Sequence, residues 1–251
     1  MENKQQLFNE LLNSLNEKSE IEEYKYIGTG DPLSDILIIG KETAFEIDTD
    51  QYRIETLGNF NFWNKQQIAN KENPTENGYN PRFPYKGQIL KRDNRKGNNG
   101  TSVTWMNYQK LINYIYNTPL NKDINFHDDS FITEVNSTPS KKTANANSFS
   151  IGFRKENILN SKFFQSFKIV IISGVGYFNI TKDKNEIEDI FQVKYIEKKN
   201  VDGKTSQPFW IHKNEDNTKL VINTYQLSIG ISDNLLKEIA REIQESNILN
   251  I

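Results

Sequence analysis

The sequence contains no cysteine, only two histidines and no long apolar run. Without cysteine there are no disulfides, thiol nucleophiles, zinc fingers or cysteine-held iron–sulfur clusters. Two histidines argue against a His-rich metal site, and no stretch approaches the roughly 20 apolar residues of a membrane helix. We therefore expect neither a metal nor a cofactor, and no membrane partner.

The sequence also has no excess of positive charge. Lys and Arg number 31 against 33 Asp and Glu, which gives a formal net charge of -2. Bulk charge thus does not indicate a strongly basic nucleic-acid binder, although a local basic patch is compatible with it. The N-terminal stretch 1–15 is acidic and amphipathic, unlike a secretory signal. We expect a soluble, cytoplasmic protein.

Hydrophobic patterning predicts alternating helices and strands. Helices are predicted over 3–17, 104–116, around 153–165, and from a cap near Ser232 onward. Strands are predicted at 35–40, 130–135, 168–178 and 219–228, with a strand pair at 192–199 and 208–214. This order is typical of an α/β protein with a parallel sheet and helices on both faces.

The chain of 251 residues is long enough for one large domain or two small ones. No internal repeat is visible. Residues 56–100 are rich in Asn, Gly, Lys and Pro and carry scattered aromatics, which predicts a long insertion loop packed in part against the rest. We expect one domain spanning 1–251, with an N-terminal helix within 1–20.

Polar residues follow three of the predicted strands, at Gly40, at Glu134 and at Asn223. The carboxyl ends of parallel strands lie along one edge of a sheet, where ligands bind, so these loops should converge on one cleft. Glu42 follows its strand by two residues and is placed to orient or deprotonate a water. The alternative is a solvated loop acid, or a glutamate favoured by a helix N-terminus.

Three further motifs have structural alternatives. "GTGDP" (28–32) contains Gly-x-Gly, but it precedes a strand and lacks the third glycine of a dinucleotide fingerprint, so we interpret it as a turn. The basic stretches 86–102 and 137–143 combine Lys, Arg, glycine or hydroxyl residues that can clamp phosphates. Both are equally compatible with solvated surface loops.

Together, the order and spacing of these motifs over residues 27–245 resemble the uracil-DNA glycosylase superfamily. The resemblance is carried by "GTGDPLSDILIIGKETAF", "FITEVNSTPS", "VIISGVGYF" and "NTYQLS". It implies a three-layer α/β/α fold with a central, mainly parallel, four-stranded sheet. The iron–sulfur branch of the superfamily is excluded because the chain has no cysteine.

The resemblance implies two catalytic residues. Glu42 stands where the uracil-specific branch has the Asp that orients the attacking water. Asn223 stands where the family has a His that stabilises charge on the base. An amide can donate a hydrogen bond there, but it cannot carry a protonic charge.

The resemblance also implies a base-binding group, which consists of Glu134, Asn136, Lys41 and Thr43. Glu134 takes the place of the side-chain amide that reads uracil. Because a carboxylate accepts hydrogen bonds but donates only when protonated, it suits a base with an amino group better than uracil. We expect an aromatic side chain from the 60–85 segment to stack on the base.

The loop after the last strand is expected to contact DNA. Leu227 matches the family's wedge, which fills the gap left by a flipped base, and Ser228 would hold a phosphate. The full set of predicted DNA-binding residues is Gln226, Leu227, Ser228, Ser137, Lys141 and Lys142.

These observations predict a monomeric DNA glycosylase-like hydrolase that flips a base from DNA, with repair or defence against phage with modified DNA as candidate pathways. A non-catalytic nucleic-acid-binding module on the same fold is the main alternative, because the His is replaced and the base reader is altered. An unrelated α/β hydrolase or nucleotide-binding protein is a third interpretation. The sequence has neither the Gly-x-Ser-x-Gly elbow nor the phosphate-cradling loop of those classes.

Overall fold

Short apolar runs form one mixed sheet, and helices pack against it. The structure is a computed structural model that describes residues 3–42, 47, 49–66, 79–84, 101–120, 123–140, 146–201 and 207–249. The strands are β1 (Thr29–Gly30), β2 (Ile36–Gly40), β3 (Ser130–Glu134), β4 (Ile169–Ser173), β5 (Lys194–Val201), β6 (Gln207–Lys213) and β7 (Leu220–Thr224). The helices are α1 (Lys4–Lys18), α2 (Asp50–Tyr52), α3 (Gly58–Gln66), α4 (Val103–Ile115), α5 (Ser148–Arg154), α6 (Lys162–Gln165), α7 (Glu186–Phe191) and α8 (Asp233–Glu245). The α/β class predicted from the sequence is confirmed.

The sheet has the strand order β1-β3-β2-β4-β7-β6-β5. Strand β2 pairs in parallel with β3 and with β4, and β4 pairs in parallel with β7. Strand β1 is antiparallel at one edge, and the hairpin β5–β6 is antiparallel at the other. The described sheet therefore has seven strands instead of the expected four, because the predicted hairpin joins it through β6 and the short β1 extends it beyond β3.

Helices cover both faces of the sheet. Successive side chains of a strand point to opposite faces, so Leu37 and Ile39 pack in one hydrophobic cluster with α1, α3 and α6. Ile36 and Ile38 pack in a second cluster with α4 and α8. Strands β2, β4 and β7 are buried along their whole length, as is typical of parallel strands covered on both sides.

Part of the predicted 56–100 loop is helical. One wide turn (Arg53–Leu57) leads directly into α3, where Phe60 and Trp63 are buried in the core. Asn59 Oδ1 accepts from the Ile27 N–H at 3.0 Å, which ties α3 to the segment before β1. Burial of these two aromatic side chains stabilises a helix in a segment whose composition predicts a loop. Residues 67–78 and 85–100 of the predicted loop lie outside the described residues.

Several element boundaries differ from the predictions. The helical segment expected around 153–165 begins at Ser148, where Asn147 caps α5, and a wide turn at Lys155–Leu159 separates it from α6. Helix α7, capped by Asn185, was not predicted. Strands β4 and β7 end several residues earlier than their apolar patterns suggest, because their last residues enter the loops at the carboxyl edge of the sheet.

The Gly-x-Gly motif has a structural role, but it forms the edge strand β1 where a turn was predicted, and the turn follows at residues 32–33. Gly28 and Gly30 have φ values of +145° and +98°, in a region that only glycine enters readily. A Cβ at Gly28 would lie 2.9 Å from Cε1 of Phe131 and would also collide with the Ile132 carbonyl. The two glycines let β1 lie directly against β3.

Candidate active site

A cavity of about 390 Å³ opens at the carboxyl ends of β2 and β3. The parallel pairing continues past the strands, because Val135 N–H donates to Gly40 O at 2.9 Å and Asn136 N–H donates to Lys41 O at 2.8 Å. This extension keeps the residues that follow β2 beside the end of β3. The predicted convergence of these two strand ends is therefore present.

The cavity is lined by acidic, aromatic and hydroxyl side chains. Its carboxyl groups belong to Glu42, Glu55 and Glu134, and Lys41 is the one cation among the described lining residues. Its aromatic and hydroxyl lining comprises Tyr26, Tyr79, Trp105, Tyr108, Thr29, Thr56, Ser102 and Thr104. Small-ligand sites have this character, with apolar rings for contact and a few polar groups for orientation.

The Glu134 carboxyl lies against Gly40 at the floor of the cavity. A Cβ at Gly40 would lie 2.8 Å from Glu134 Cδ, so the carboxyl uses space that only glycine leaves open. Its Oε2 atom is buried and has no hydrogen-bond partner among the described residues. Burial, reinforced by the nearby Glu42 and opposed by Arg154, raises the pKa of Glu134 to about 8. The carboxyl is therefore mainly neutral at pH 7 and can donate a hydrogen bond.

A fully buried arginine anchors the main chain beneath Glu134. Arg154 Nε donates to Glu134 O at 2.9 Å, and Nη2 donates to Thr133 Oγ1 at 2.8 Å. Nη1 donates to the Tyr26 carbonyl oxygen. Burial lowers the pKa of Arg154 to about 10, so it remains charged at neutral pH and holds three segments of the site together.

Glu42 is oriented from a third strand end. The hydroxyl of Tyr177, which follows β4, donates to Glu42 Oε2. Lys41 Nζ lies 5.7 Å from the centre of the same Tyr177 ring. A Cβ at Gly174 would lie 2.6 Å from Lys41 Cγ, so this glycine leaves room for the lysine stem. The "SGVGYF" segment thus contributes to the site by positioning Lys41 and Glu42.

Glu55 is a cavity residue that the sequence did not reveal. Burial raises its pKa, and Gln51 Nε2 donates to its Oε1 at 3.1 Å. It comes from the wide helical turn before α3, in a stretch without strand-end character. Only the packing of this turn against α3 and the short helical segment Glu22–Lys25 brings Glu55 to the cavity.

Two of the four described aromatic side chains that line the cavity come from α4. The Ser102 hydroxyl caps this helix by accepting from the Trp105 N–H at 3.2 Å, and both Trp105 and Tyr108 line the cavity. Tyr79 is the one described aromatic of the predicted 60–85 segment that also lines it. Phe60 and Trp63 instead pack in the core.

The structure does not bring Asn223 to this cavity. Asn223 is buried in β7 next to Ile222, which packs in the cluster of α4 and α8. Because side chains alternate along a strand, Asn223 lies on the opposite face, whereas Glu134 shares the face of Ile132 that borders the cavity. Of the three side chains expected to share one cavity, Glu42 and Glu134 line it and Asn223 does not.

The base-binding prediction for Asn136 is also not met by its placement. This side chain is fully buried, and its Oδ1 accepts from the Thr138 N–H at 3.1 Å. Its Nδ2 has no partner among the described residues, but Asn136 does not line the cavity. Lys41, by contrast, does line it. Thr43 lies outside the described residues.

The predicted DNA-binding residues differ in their placement. Gln226 is exposed and lines the cavity. Leu227 is fully buried in the cluster of α4 and α8, with its N–H bonded to Ser173 Oγ at 2.8 Å, so it does not project from the surface as a wedge. Ser137 is buried, with its hydroxyl 2.9 Å from Ser150 Oγ. Ser228 is half-buried, and Lys141 and Lys142 lie outside the described residues.

No group of three or more His, Asp or Glu side chains in the described ranges is arranged to hold a metal ion. No helix in the described part of the chain is long and apolar enough to cross a membrane.

Comparison with known proteins does not assign a family to this chain. No protein-family model matches its sequence, and no curated protein matches it.

Proposed function

We propose that this protein is a cytoplasmic DNA glycosylase-like hydrolase that binds a flipped base in the cavity and cleaves its N-glycosidic bond. We further propose a uracil-DNA glycosylase-like layout for the parallel part of the sheet, supported by the strand order β3-β2-β4-β7 and by helices on both faces. A monomeric state remains part of this proposal.

One observation carries the proposal: two strand ends that the sequence singled out meet in a cavity with Glu42 and Glu134 in its lining. The volume of about 390 Å³ falls within the roughly 300–1,000 Å³ of small-ligand pockets. Trp105 and Tyr108 provide ring surfaces for stacking on a planar base.

Glu42 and Glu134 suit two different proton transfers, one from the attacking water and one to the departing base. Water attacks C1′ of the sugar, the C1′–N bond breaks, and the bonding electron pair leaves with the base. Glu42 accepts the proton that the water loses, and the neutral Glu134 carboxyl supplies a proton to the departing base. The Tyr177 hydroxyl holds Glu42 during this step. Proton exchange with solvent then restores both carboxyls.

Exposed apolar side chains near the same edge suit contact with unstacked DNA. Ile229, in the loop after β7, is 84% exposed, and Phe149, at the start of α5, is 80% exposed. In this proposal Ile229 takes the wedge role that the sequence assigned to the buried Leu227. Of the stretch 86–102 that is proposed to contact phosphates, residues 86–100 lie outside the described residues.

Base release from oligonucleotides tests the enzyme claim. Duplexes and single strands carrying uracil, hypoxanthine, xanthine, mismatched thymine or a modified cytosine are incubated with the protein, and alkaline cleavage detects abasic sites. We expect release of at least one base. Glu42→Gln should lower the rate by about 100-fold or more, because it removes the proton acceptor.

The matched control is Glu17→Gln, which makes the same chemical change at an exposed position of α1 and should leave the rate unaltered. Absence of release from every substrate, or full activity of Glu42→Gln, would contradict the proposal.

A non-catalytic nucleic-acid-binding module is the second candidate. It is favoured by the placement of Asn223 outside the cavity and by the lack of a histidine among the described lining residues. Binding that weakens steeply with salt, without release of any base, would support this alternative.

A further inference from the structure

The charge of the cavity limits the kind of base that it can accept. Glu42, Glu55 and Glu134 line it, against Lys41 as the one cation among the described lining residues. Carboxyl groups offer acceptors to the hydrogen-bond donors of a ligand, and an acceptor oxygen that faces a carbonyl oxygen where water is excluded is costly.

Resting on the proposed function, we infer that the accepted base carries an exocyclic amino group beside a ring-nitrogen acceptor, as cytosine-type and adenine-type bases do. The neutral Glu134 carboxyl donates its O–H to the ring nitrogen and accepts from the amino group. These two bonds lie in the plane of the base, the geometry in which a bidentate side chain discriminates between bases.

The buried state of Glu134 supports this role. One carboxyl oxygen has no partner among the described residues, and an unpaired buried polar atom costs stability unless a ligand pairs with it. Gly40 leaves the space in which this carboxyl lies. Glu134 therefore has room beside Gly40 and an unmet hydrogen-bonding capacity.

Glu134 alone does not choose between the two classes of base. A neutral carboxyl also fits a uracil-type edge, by donating to a carbonyl and accepting from the ring N–H. We assign the choice to the other two acids of the lining, because a second carbonyl that faced Glu42 or Glu55 would bring two acceptors together. An amino group meeting the same carboxyl groups gains a hydrogen bond instead.

The interaction depends on pH through Glu134. The charged and titratable groups that face it are Glu42 after β2, Arg154 on α5, Tyr26 before β1 and Tyr108 on α4, with Lys41 and Glu55 in the same lining. With its pKa raised to about 8, Glu134 loses its donor as pH rises through that value. Affinity for an amino-bearing base should fall over the same range.

Fluorescence anisotropy with the full-length protein tests the inference. The probes are identical duplexes with cytosine, adenine, uracil, thymine or hypoxanthine at one position, each opposite an abasic site. We expect the cytosine or the adenine duplex to bind about tenfold tighter than the carbonyl-edged duplexes at near-neutral pH. The affinity for this preferred duplex should decline toward about pH 9.

Two variants sharpen the test. Glu134→Gln keeps a hydrogen-bond donor and an acceptor at every pH, so its affinity for the preferred duplex should not change between neutral pH and about pH 9. Glu42→Gln should reduce the difference in affinity between amino-bearing and carbonyl-edged duplexes, because the new amide can donate a hydrogen bond to a carbonyl. This variant tests the inference even if Glu134→Gln fails to fold. Glu17→Gln is the matched control and should leave both the preference and the pH dependence of affinity intact.

The outcomes separate the two proposals. Equal or tighter binding of the uracil, thymine or hypoxanthine duplexes would overturn the inference, while DNA binding with base release would sustain the proposed function. The expected preference without base release would support the inference and contradict the hydrolase. Failure to bind any duplex would overturn both.

Discussion

The Glu134 carboxyl occupies the space beside Gly40 that a side chain at position 40 would fill. A Cβ there would lie 2.8 Å from Glu134 Cδ. Because a carboxyl at the end of a flexible side chain can move aside, we expect Gly40→Ala to change the free energy of unfolding by only about 1 kcal/mol. Displacement of the carboxyl should weaken ligand binding in the cavity by about tenfold, equivalent to roughly 1.4 kcal/mol.

Urea denaturation and DNA binding measured on the same preparations check this prediction. Gly152→Ala is the matched control, since a Cβ at Gly152 meets no heavy atom within 4 Å, and it should leave binding unaltered. Wild-type binding by Gly40→Ala, or its unfolding at far lower urea, would show that the contact has another role.

Glu134 should make stability depend on pH. Its pKa is raised from 4.5 to about 8, so between these values the folded state retains a proton that the unfolded state has released. Wild-type stability is therefore lost as pH rises across this window. Glu134→Gln cannot ionise, and its stability relative to wild type should increase by on the order of a few kcal/mol between about pH 5 and about pH 9.

Urea midpoints at the two pH values measure this difference. The exposed Glu17→Gln variant should follow the wild-type curve. Parallel pH dependence in wild type and Glu134→Gln would mean that Glu134 ionises normally in the folded protein.

Leu227 and Ile229 should respond in opposite ways to truncation. Leu227 is fully buried, so Leu227→Ala should destabilise the protein by about 2–5 kcal/mol through lost burial and a residual cavity. Ile229 is 84% exposed, so Ile229→Ala should change stability by less than about 0.5 kcal/mol. Under the proposed function, only Ile229→Ala should weaken DNA binding without loss of fold.

Thermal or urea unfolding and anisotropy on a duplex distinguish the two effects. A stable Leu227→Ala variant with impaired DNA binding would restore the role that the sequence assigned to Leu227.

Arg154 should be essential for folding stability. Its guanidinium satisfies buried acceptors on Tyr26, Thr133 and Glu134, and truncation would leave all of them unpaired. We expect Arg154→Ala to lose about 3–5 kcal/mol of unfolding free energy, with partial recovery in Arg154→Lys.

The matched control is Arg241→Ala on α8, where the side chain is exposed and its ion pairs lie at the surface. Such pairs contribute about 0–1 kcal/mol. Similar urea midpoints for Arg154→Ala and Arg241→Ala would contradict the anchoring role.

Much of the fold could be predicted because its signals are local. Continuous apolar runs gave β2 and β4, and the spacing of leucines and isoleucines gave α1 and α8. The long loop was only partly correct, since the aromatics that looked scattered in sequence lie on α3 and fill the core.

The pairing of Glu42 with Glu134 was predictable for a topological reason. Glu42 follows β2 and Glu134 ends β3, two strands that the pattern identified as parallel, and the ends of neighbouring parallel strands lie together. Glu55 and Trp105 carry no such signal, because they reach the cavity from helices whose docking depends on distant contacts.

The sequence by itself determined the strands other than β1, the helices α1, α4 and α8, the α/β class and the two acids at the strand ends, since these depend on local periodicity and chain direction. Only the tertiary structure decided that Asn223 lies on the opposite face and that Leu227 is buried. Strand register and helix packing, which neighbouring residues do not encode, control both outcomes. The same packing removes water from Glu134, and this loss of solvation turns an ordinary acid into a hydrogen-bond donor at neutral pH.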